Sequence, residues 1–393
     1  MGSTKDIIQI FRKNSISIFL YLFVNIIFVL KYFPRVGFDS FLSGGIYTLL
    51  ILFVLFSFYS KVNLFSERTL KIAYWGILIM MVLAIIGLLI YINPYTIRVD
   101  RWSALSFFWD YLLQGKYPYS THTHISQTNY PSPFPLWQVI NFPFYLLGDV
   151  GIGLVFFLLL IAIIVRFFFG TYRKSILFLI MLCLSPAYWW EVAVRSDALN
   201  NAFFVFGIIL WLKKTGRSLS NNFILIALIC GSVAATRLTA IIPLALYFFK
   251  PYLQLSLRKI IAFPIIVLLV FVLIFSPFIF WDTHSWIFFS RNPFMNQADK
   301  GNLYIFISMI LLGCIMALKW KNIEQFFNVT SFFIFIFILV SQIGLILAAK
   351  ASSNLFSDNI CDISYFSLIL PYCLVAMGYQ YTDELKKELL NNN

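Results

Sequence analysis

Asp100, Asp197 and Arg237 each place a full charge inside a chain that is 61% hydrophobic and only 11% charged. Asp100 belongs to RVDRWSALSFFWDYLLQGKYPYS, residues 98–120, which follows an apolar run of about twenty residues. Standing before a helical pattern, its carboxylate suits two tasks. It can accept a free backbone N–H as a helix N-cap. It can also serve as a general base, since a carboxylate kept beside a bilayer is costly and often functional. No Glu or Gln stands at 103 to complete a capping box. Asp197 has the same two readings before ALNNAFFVFGIILWL, but it shares its helix mouth with Glu191, Arg195, Asn200 and Asn201. That is more polarity than a cap needs. Arg237 is the single charge in ICGSVAATRLTAIIPLALYFF, between two apolar runs of roughly 12 to 15 residues. This predicts two half-length helices meeting at an arginine. Its planar donor fork suits a phosphate, and a snorkelling or carboxylate-paired arginine is the other reading. Arg291 and His284 are weaker candidates of the same kind in the loop 282–302. His122 and His124 form an HxH pair whose rings share one side of an extended chain, as a metal site could use, with no clear third ligand.

The elements that position these residues are apolar. Apolar segments at 14–33, 41–60, 70–92, 150–168, 175–190, 198–212, 222–236, 238–249, 260–281, 303–318, 328–349 and 362–380 predict about twelve spans. The expected fold is a polytopic, all-α membrane helix bundle forming one integral membrane domain over residues 1–393. A β-barrel would show short alternating segments instead. With the N-terminus in the cytoplasm, the cytoplasmic segments carry 19 of the 29 basic residues and six of the 16 acidic ones. That is the bias of the positive-inside rule. The net charge of +13 is thereby explained by membrane orientation, and nucleic acid is not an expected partner. Both termini are expected in the cytoplasm, and the loop 93–134 outside. An Ile/Phe/Asn-rich chain with no organellar signal points to a bacterial plasma membrane. MGSTKDIIQIFRKN lacks a small-residue cleavage site and has Asp6 where myristoylation needs Ser or Thr. Cys183, Cys230, Cys314, Cys361 and Cys373 form no CxxC pair and read as small hydrophobes.

Within the outer loop, Trp102, Leu105, Trp109 and Leu112 recur at helical spacing and predict an interfacial amphipathic helix over 101–114. Ser103, Ser106, Asp110 and Gln114 fall largely off that face, with Asp110 on its solvated side. Gly115 should end the helix and Pro118 prevent its return. Segment 135–147 is apolar but short and carries Pro143, so it is expected to be broken there and to lie near the interface.

These features together resemble the type C (GT-C) superfamily of polytopic glycosyltransferases. The resemblance rests on an Asp opening the first large outer loop, then LLQGKYPYS with Gly115, Pro118 and Tyr119 in a G-x-x-P-Y pattern, then YPSPFPLW. RSDAL at 195–199, GSVAATRLTA and ISYFSLILPY follow in the family's order. YPSPFPL departs from the family's Y-P-P-L by an insertion, and the two spans before residue 61 are additional. The resemblance implies an inverting glycosyltransferase that uses a polyprenyl-phosphate monosaccharide and a glycan, lipid or protein acceptor. Asp100 would take the acceptor proton and Asp197 would orient the acceptor or a water network. Arg237, with Arg195 or Arg291, would hold the lipid phosphate. Glu191, His284 and Tyr119 are the remaining substrate-binding candidates. No cofactor is firmly implied; a divalent cation is kept as a candidate. An O-antigen-type polymerase or ligase acting on diphosphate lipids has a similar layout. A lipid-linked sugar transporter or flippase would show paired broken helices in two matching halves, and here one broken pair stands alone.

Overall fold

The structure is a computed structural model, and it describes residues 4–295, 303–348 and 362–379. Cys361 and the charged residues after 379 lie outside them. Every regular element among the described residues is helical. Among the described residues, six helices are long and apolar enough to cross a membrane: Ser15–Val36, Ser40–Leu64, Glu67–Tyr91, Ile152–Phe169, Leu257–Ile279 and Ile323–Leu347. A seventh is formed if Tyr172–Cys183 and Pro186–Ala193, bent by 63°, count as one span. This layout is consistent with a multi-pass membrane protein. The described parts of all twelve expected segments fall on helices, but several are short. Phe223–Ala234 has 12 residues, roughly 18 Å of helix against a hydrocarbon core of about 30 Å. An additional helix, Thr4–Lys13, precedes the first expected span.

The chain forms two compact units. The first comprises residues 1–83, 159–190 and 311–393, and the second residues 84–158 and 191–310. In the first unit the helix Ser15–Tyr32 packs on Ser40–Lys61, and Leu20, Val24, Ile51 and Leu55 are fully buried. The bend between Cys183 and Pro186 gathers several polar side chains in its interior. Proline lacks an N–H and cannot continue the preceding turn, so the backbone groups around it lose their helical partners. Side chains replace them. The Tyr21 hydroxyl donates to the Met181 carbonyl at 2.7 Å, the Tyr47 hydroxyl to Leu184 at 3.2 Å, and the Trp189 indole to Cys183 at 2.6 Å. Asn25 Oδ1 accepts both the Ser185 hydroxyl at 2.6 Å and the Ala187 N–H at 3.2 Å. Ser185 in turn accepts the Tyr188 N–H.

In the second unit the helix Phe223–Ala234 lies against Leu257–Ile279 so closely that a Cβ on Gly231 would come within 2.7 Å of the Val270 side chain and 2.8 Å of the Val267 carbonyl. Phe223–Ala234 ends at Arg237, which is extended, and Ile241–Leu253 follows after a short 3-10 turn. The carbonyls exposed at that break are used. Phe134 N–H donates to Thr236 at 3.0 Å and Leu136 N–H to Ala235 at 3.1 Å. These donors open the helix Pro135–Leu146, so two helix ends satisfy each other.

Two expectations about this unit need correction. The helix Arg101–Leu113 buries Trp102, Ser103, Ala104, Leu105, Ser106, Phe108 and Trp109, so protein covers most of its circumference. It is not a one-sided helix with its serines in solvent: His124 of the loop that follows reaches back to Ser103, and Tyr145 of the helix Pro135–Leu146 covers Asp110. Pro143 does not break Pro135–Leu146 either; the helix runs through it. Gly115 ends the preceding helix with φ +71, a conformation that favours glycine.

Replacing Asn25 by Ala leaves the buried Ser185 hydroxyl and Ala187 N–H without their acceptor, which should cost about 1–3 kcal/mol. Denaturation of the detergent-solubilised protein should show a lower midpoint; an unchanged midpoint would mean that the bend does not depend on Asn25.

Candidate functional site

All the candidates lie in the second unit. Asp100 directly precedes Arg101–Leu113, yet its carboxylate makes no bond to the helix it opens. With φ −88 and ψ 0 its backbone is already helical, whereas a side-chain cap needs an extended N-cap residue. Asp39 shows the contrast: it is extended, and its carboxylate accepts the Leu42 N–H at 2.7 Å. Asp100 Oδ2 instead accepts the Asn129 amide at 3.2 Å. The capping role expected of Asp100 is therefore corrected, and the carboxylate turns towards the loop. Asp197 departs in the same way, with φ −90, ψ −9 and no capping bond.

Asn129 is followed by Tyr130, and the Tyr130 ring carries Arg291, whose guanidinium carbon lies 4.5 Å from the ring centroid. The Arg291 backbone is fixed by the Tyr117 hydroxyl, which donates to its carbonyl at 2.9 Å. Among the described residues no carboxylate pairs with the Arg291 guanidinium. The His122 ring packs on Tyr130 at 4.8 Å, and its buried Nδ1 has no hydrogen-bond partner.

The remaining charges are engaged. Asp197, 2% exposed, accepts the Trp137 indole at 2.6 Å and Arg237 Nε at 3.1 Å on Oδ2, and the Arg237 terminal nitrogen on the same atom. Arg237 is thus the carboxylate-paired arginine of the second reading: its fork is turned onto Asp197. Asp197 Oδ1 and the Asn201 amide nitrogen one turn on are buried without partners. Arg101 donates to the Ser196 hydroxyl at 2.6 Å and pairs with the fully buried Glu191 at 3.4 Å.

Arg195 is one of two non-glycine residues with positive φ among the described residues, at +50. Its terminal nitrogen donates to the carbonyls of Leu89 at 2.6 Å and Ile92 at 3.0 Å, where the helix Glu67–Tyr91 ends. A cation suits that end of the helix dipole. Its Nε lies 3.2 Å from Asp149 Oδ2, at an angle that makes an ion pair but not a good hydrogen bond. Burial lowers the Arg195 pKa from its ordinary value, and Asp149 opposes that shift. Asp149 also accepts the Trp102 indole at 3.1 Å and the Gly151 N–H at 2.8 Å. The geometry thus spends Arg195 on a helix end rather than on a phosphate.

Three further candidates are placed elsewhere. Tyr119 is fully buried among Phe108, Tyr117 and Phe278, and its hydroxyl donates to the Pro133 carbonyl at 3.2 Å. Burial pushes its pKa well up, and it offers no surface to a substrate. His284 is exposed, with its backbone N–H on Asp282. His122 and His124 do not share a ligand: the two ring nitrogens of His124 meet Ser103 Oγ at 2.7 Å and the Ile97 carbonyl at 2.8 Å. No group of three metal-ligating side chains occurs among the described residues. Asp110, read as solvated, accepts the Tyr145 hydroxyl at 2.7 Å, and this bond pushes the tyrosine pKa up to about 12.

Asn129 and Asp149 carry contacts that no motif announced, and Tyr130 and Trp137 lie in YPSPFPLW without a role assigned to either. The prolines at 131, 133 and 135 mark a held loop beside Asn129 and Tyr130, and nothing local marks Asp149. No protein-family model, curated protein or solved structure matches the chain.

Removing Arg237 strands the buried Asp197 carboxylate, and breaking a buried pair costs about 3–5 kcal/mol. Arg237→Ala should therefore lower the unfolding midpoint and the yield of folded protein. The double variant with Asp197→Asn should recover part of that loss. Equal losses in the single and double variants would assign Arg237 to a ligand instead.

Proposed function

We propose that the chain is an inverting glycosyltransferase that moves a monosaccharide from a polyprenyl-phosphate donor to a hydroxyl acceptor on the outer face of a plasma membrane. The reading includes the twelve-segment layout with both termini in the cytoplasm and the loop 93–134 outside. One observation carries it. Two consecutive loop residues, Asn129 and Tyr130, hold the Asp100 carboxylate and the Arg291 guanidinium. Among the described residues the second Asp100 oxygen meets no donor and Arg291 meets no carboxylate, and one dipeptide grips both groups.

The chemistry follows from those two groups. Asp100 accepts the proton of the acceptor hydroxyl as its oxygen attacks the anomeric carbon from the face opposite the phosphate. The bond from that carbon to the phosphate oxygen breaks, and the lipid phosphate leaves with the electron pair. Arg291 meets the charge that develops there. Stacking on Tyr130 occupies the face of the guanidinium and leaves its N–H edge for hydrogen bonds, the geometry in which arginine takes phosphate oxygens. A preorganised donor of this kind is worth about 2.7–4 kcal/mol in a transition state. Arg237 and Asp197 act here as a neutralised pair that fixes the start of Pro135–Leu146 through Trp137.

Asp100→Asn should remain folded and bind donor while transferring sugar at least about 100-fold more slowly, the lower end of what a general base contributes. Arg291→Ala should reduce transfer, with Arg291→Lys recovering only part because a point charge lacks the fork. Transfer from a purified polyprenyl-phosphate sugar is the assay. Normal turnover by Asp100→Asn would remove the base, and no turnover by the wild type with any such donor would remove the reaction class.

A further inference from the structure

His124 closes a clamp across Asp100. Its Nε2 lies 2.8 Å from the Ile97 carbonyl, three residues before Asp100, and its Nδ1 lies 2.7 Å from Ser103 Oγ, three residues after. The His124 backbone N–H also reaches Ser103 Oγ, at 3.2 Å. Ser103 Oγ in turn donates to the Asp100 carbonyl at 3.0 Å. One side chain therefore ties together both flanks of Asp100 and, through Ser103, its backbone. The ring is walled by Tyr95 and Trp102, each edge-on at 6.2 Å.

Counting protons sharpens this. A carbonyl only accepts, so Nε2 must carry a hydrogen towards Ile97. Ser103 Oγ has one hydrogen and two lone pairs. If that hydrogen goes to the Asp100 carbonyl, both lone pairs are left for the His124 backbone N–H and for Nδ1, and Nδ1 must then also carry a hydrogen. All four contacts are satisfied together only by the imidazolium. In the neutral ring Ser103 must turn its hydrogen to Nδ1, and the bond to Asp100 is lost.

We propose that His124 is the positioning residue for Asp100 and that it holds the segment 97–103 completely only when both ring nitrogens are protonated. The inference rests on the reading of Asp100 as the base, but the clamp itself is a statement about order in 97–103. The charged groups around the ring are compatible with it. The Asp100 carboxylate is turned to Asn129, and Arg101 is turned away to Glu191 and Ser196. Asp149 lies behind Trp102 on the indole nitrogen, and Arg98 is exposed. None of these groups bonds the ring.

The test is hydrogen exchange of the peptide 97–105 in the detergent-solubilised full chain, read as protection factors from pH 5 to 8, where histidines change charge. The wild type should lose protection as pH rises through this range. His124→Phe keeps the aromatic box but removes both ring bonds. It should exchange about tenfold faster at pH 5, the equivalent of one hydrogen bond, and should show no pH step. Ser103→Ala removes only the Asp100 side of the clamp, serves if His124→Phe fails to fold, and should also abolish the step. Transfer by either variant should fall about 10- to 100-fold in kcat with KM little changed, as for a misplaced catalytic group. Wild-type protection in both variants, or a pH step that survives in them, overturns the clamp. If the wild type transfers no sugar but the exchange pattern holds, the enzymatic reading falls and the clamp stands.

Discussion

A backbone N–H or C=O that loses its helical partner inside an apolar chain has no water to replace it, and each such group costs about 1–3 kcal/mol if left bare. Much of the polar architecture of this protein answers that constraint. At the bend after Cys183, hydroxyls of Tyr21 and Tyr47 and the amide of Asn25 take over the freed groups of the first unit. At the break after Ala234, the solution is two helix ends facing each other, with Phe134 and Leu136 donating to the carbonyls of Thr236 and Ala235. At the end of Glu67–Tyr91, a cation does the work, as Arg195 takes the carbonyls of Leu89 and Ile92. Helices too short to span are tolerable in lipid only when their ends are finished in this manner.

The same economy decides which charges of the second unit remain for chemistry. Asp197 with Arg237, Asp149 with Arg195 and Glu191 with Arg101 are mutually neutralised and buried or half-buried. A buried ion pair is weak evidence for stability, since desolvation offsets most of the attraction. It is better evidence of placement: each pair joins segments far apart in sequence and fixes their register. Among the described candidate residues, what is left is a carboxylate bonded to a side-chain amide and a guanidinium resting on a tyrosine ring. Neutral partners of this sort hold a charged group in position without quenching it, which is what a base and an anion donor need.

The sequence carried the helical character and the place of every apolar segment, because periodicity and length are local properties. It also carried the break at Arg237, from two runs too short to span, and the end of a helix at Gly115. It did not carry the partners. That Asp100 and Asp197 precede helices suggested caps, but capping depends on the backbone angle of the residue itself, and both adopt helical values. Arg237 looked available for phosphate because its partner lies 40 residues away on another helix. Tyr119 matched a motif position, but its hydroxyl is spent on Pro133 within a packed aromatic cluster. Side-chain pairing across long sequence separations is set by tertiary packing, and no local spacing reveals it.

The loop between the helices Arg101–Leu113 and Pro135–Leu146 is where these separate requirements meet. Loops in this position are often mobile, but here the Thr123 N–H donates to the Asn129 carbonyl at 2.9 Å, and the Asn129 N–H to Ser126 at 3.2 Å. These bonds close a turn. One limb of the turn presents His124 to Ser103, and the other presents Asn129 to the Asp100 carboxylate. Asp100 is therefore gripped through its backbone from one side and through its side chain from the other. Tyr130, the next residue on the second limb, supports Arg291. The acid is thus held within a closed ring of hydrogen bonds, and the cation rests on the residue next to that ring. A proline-bounded loop closed on itself can in this way be as exact a scaffold as a helix.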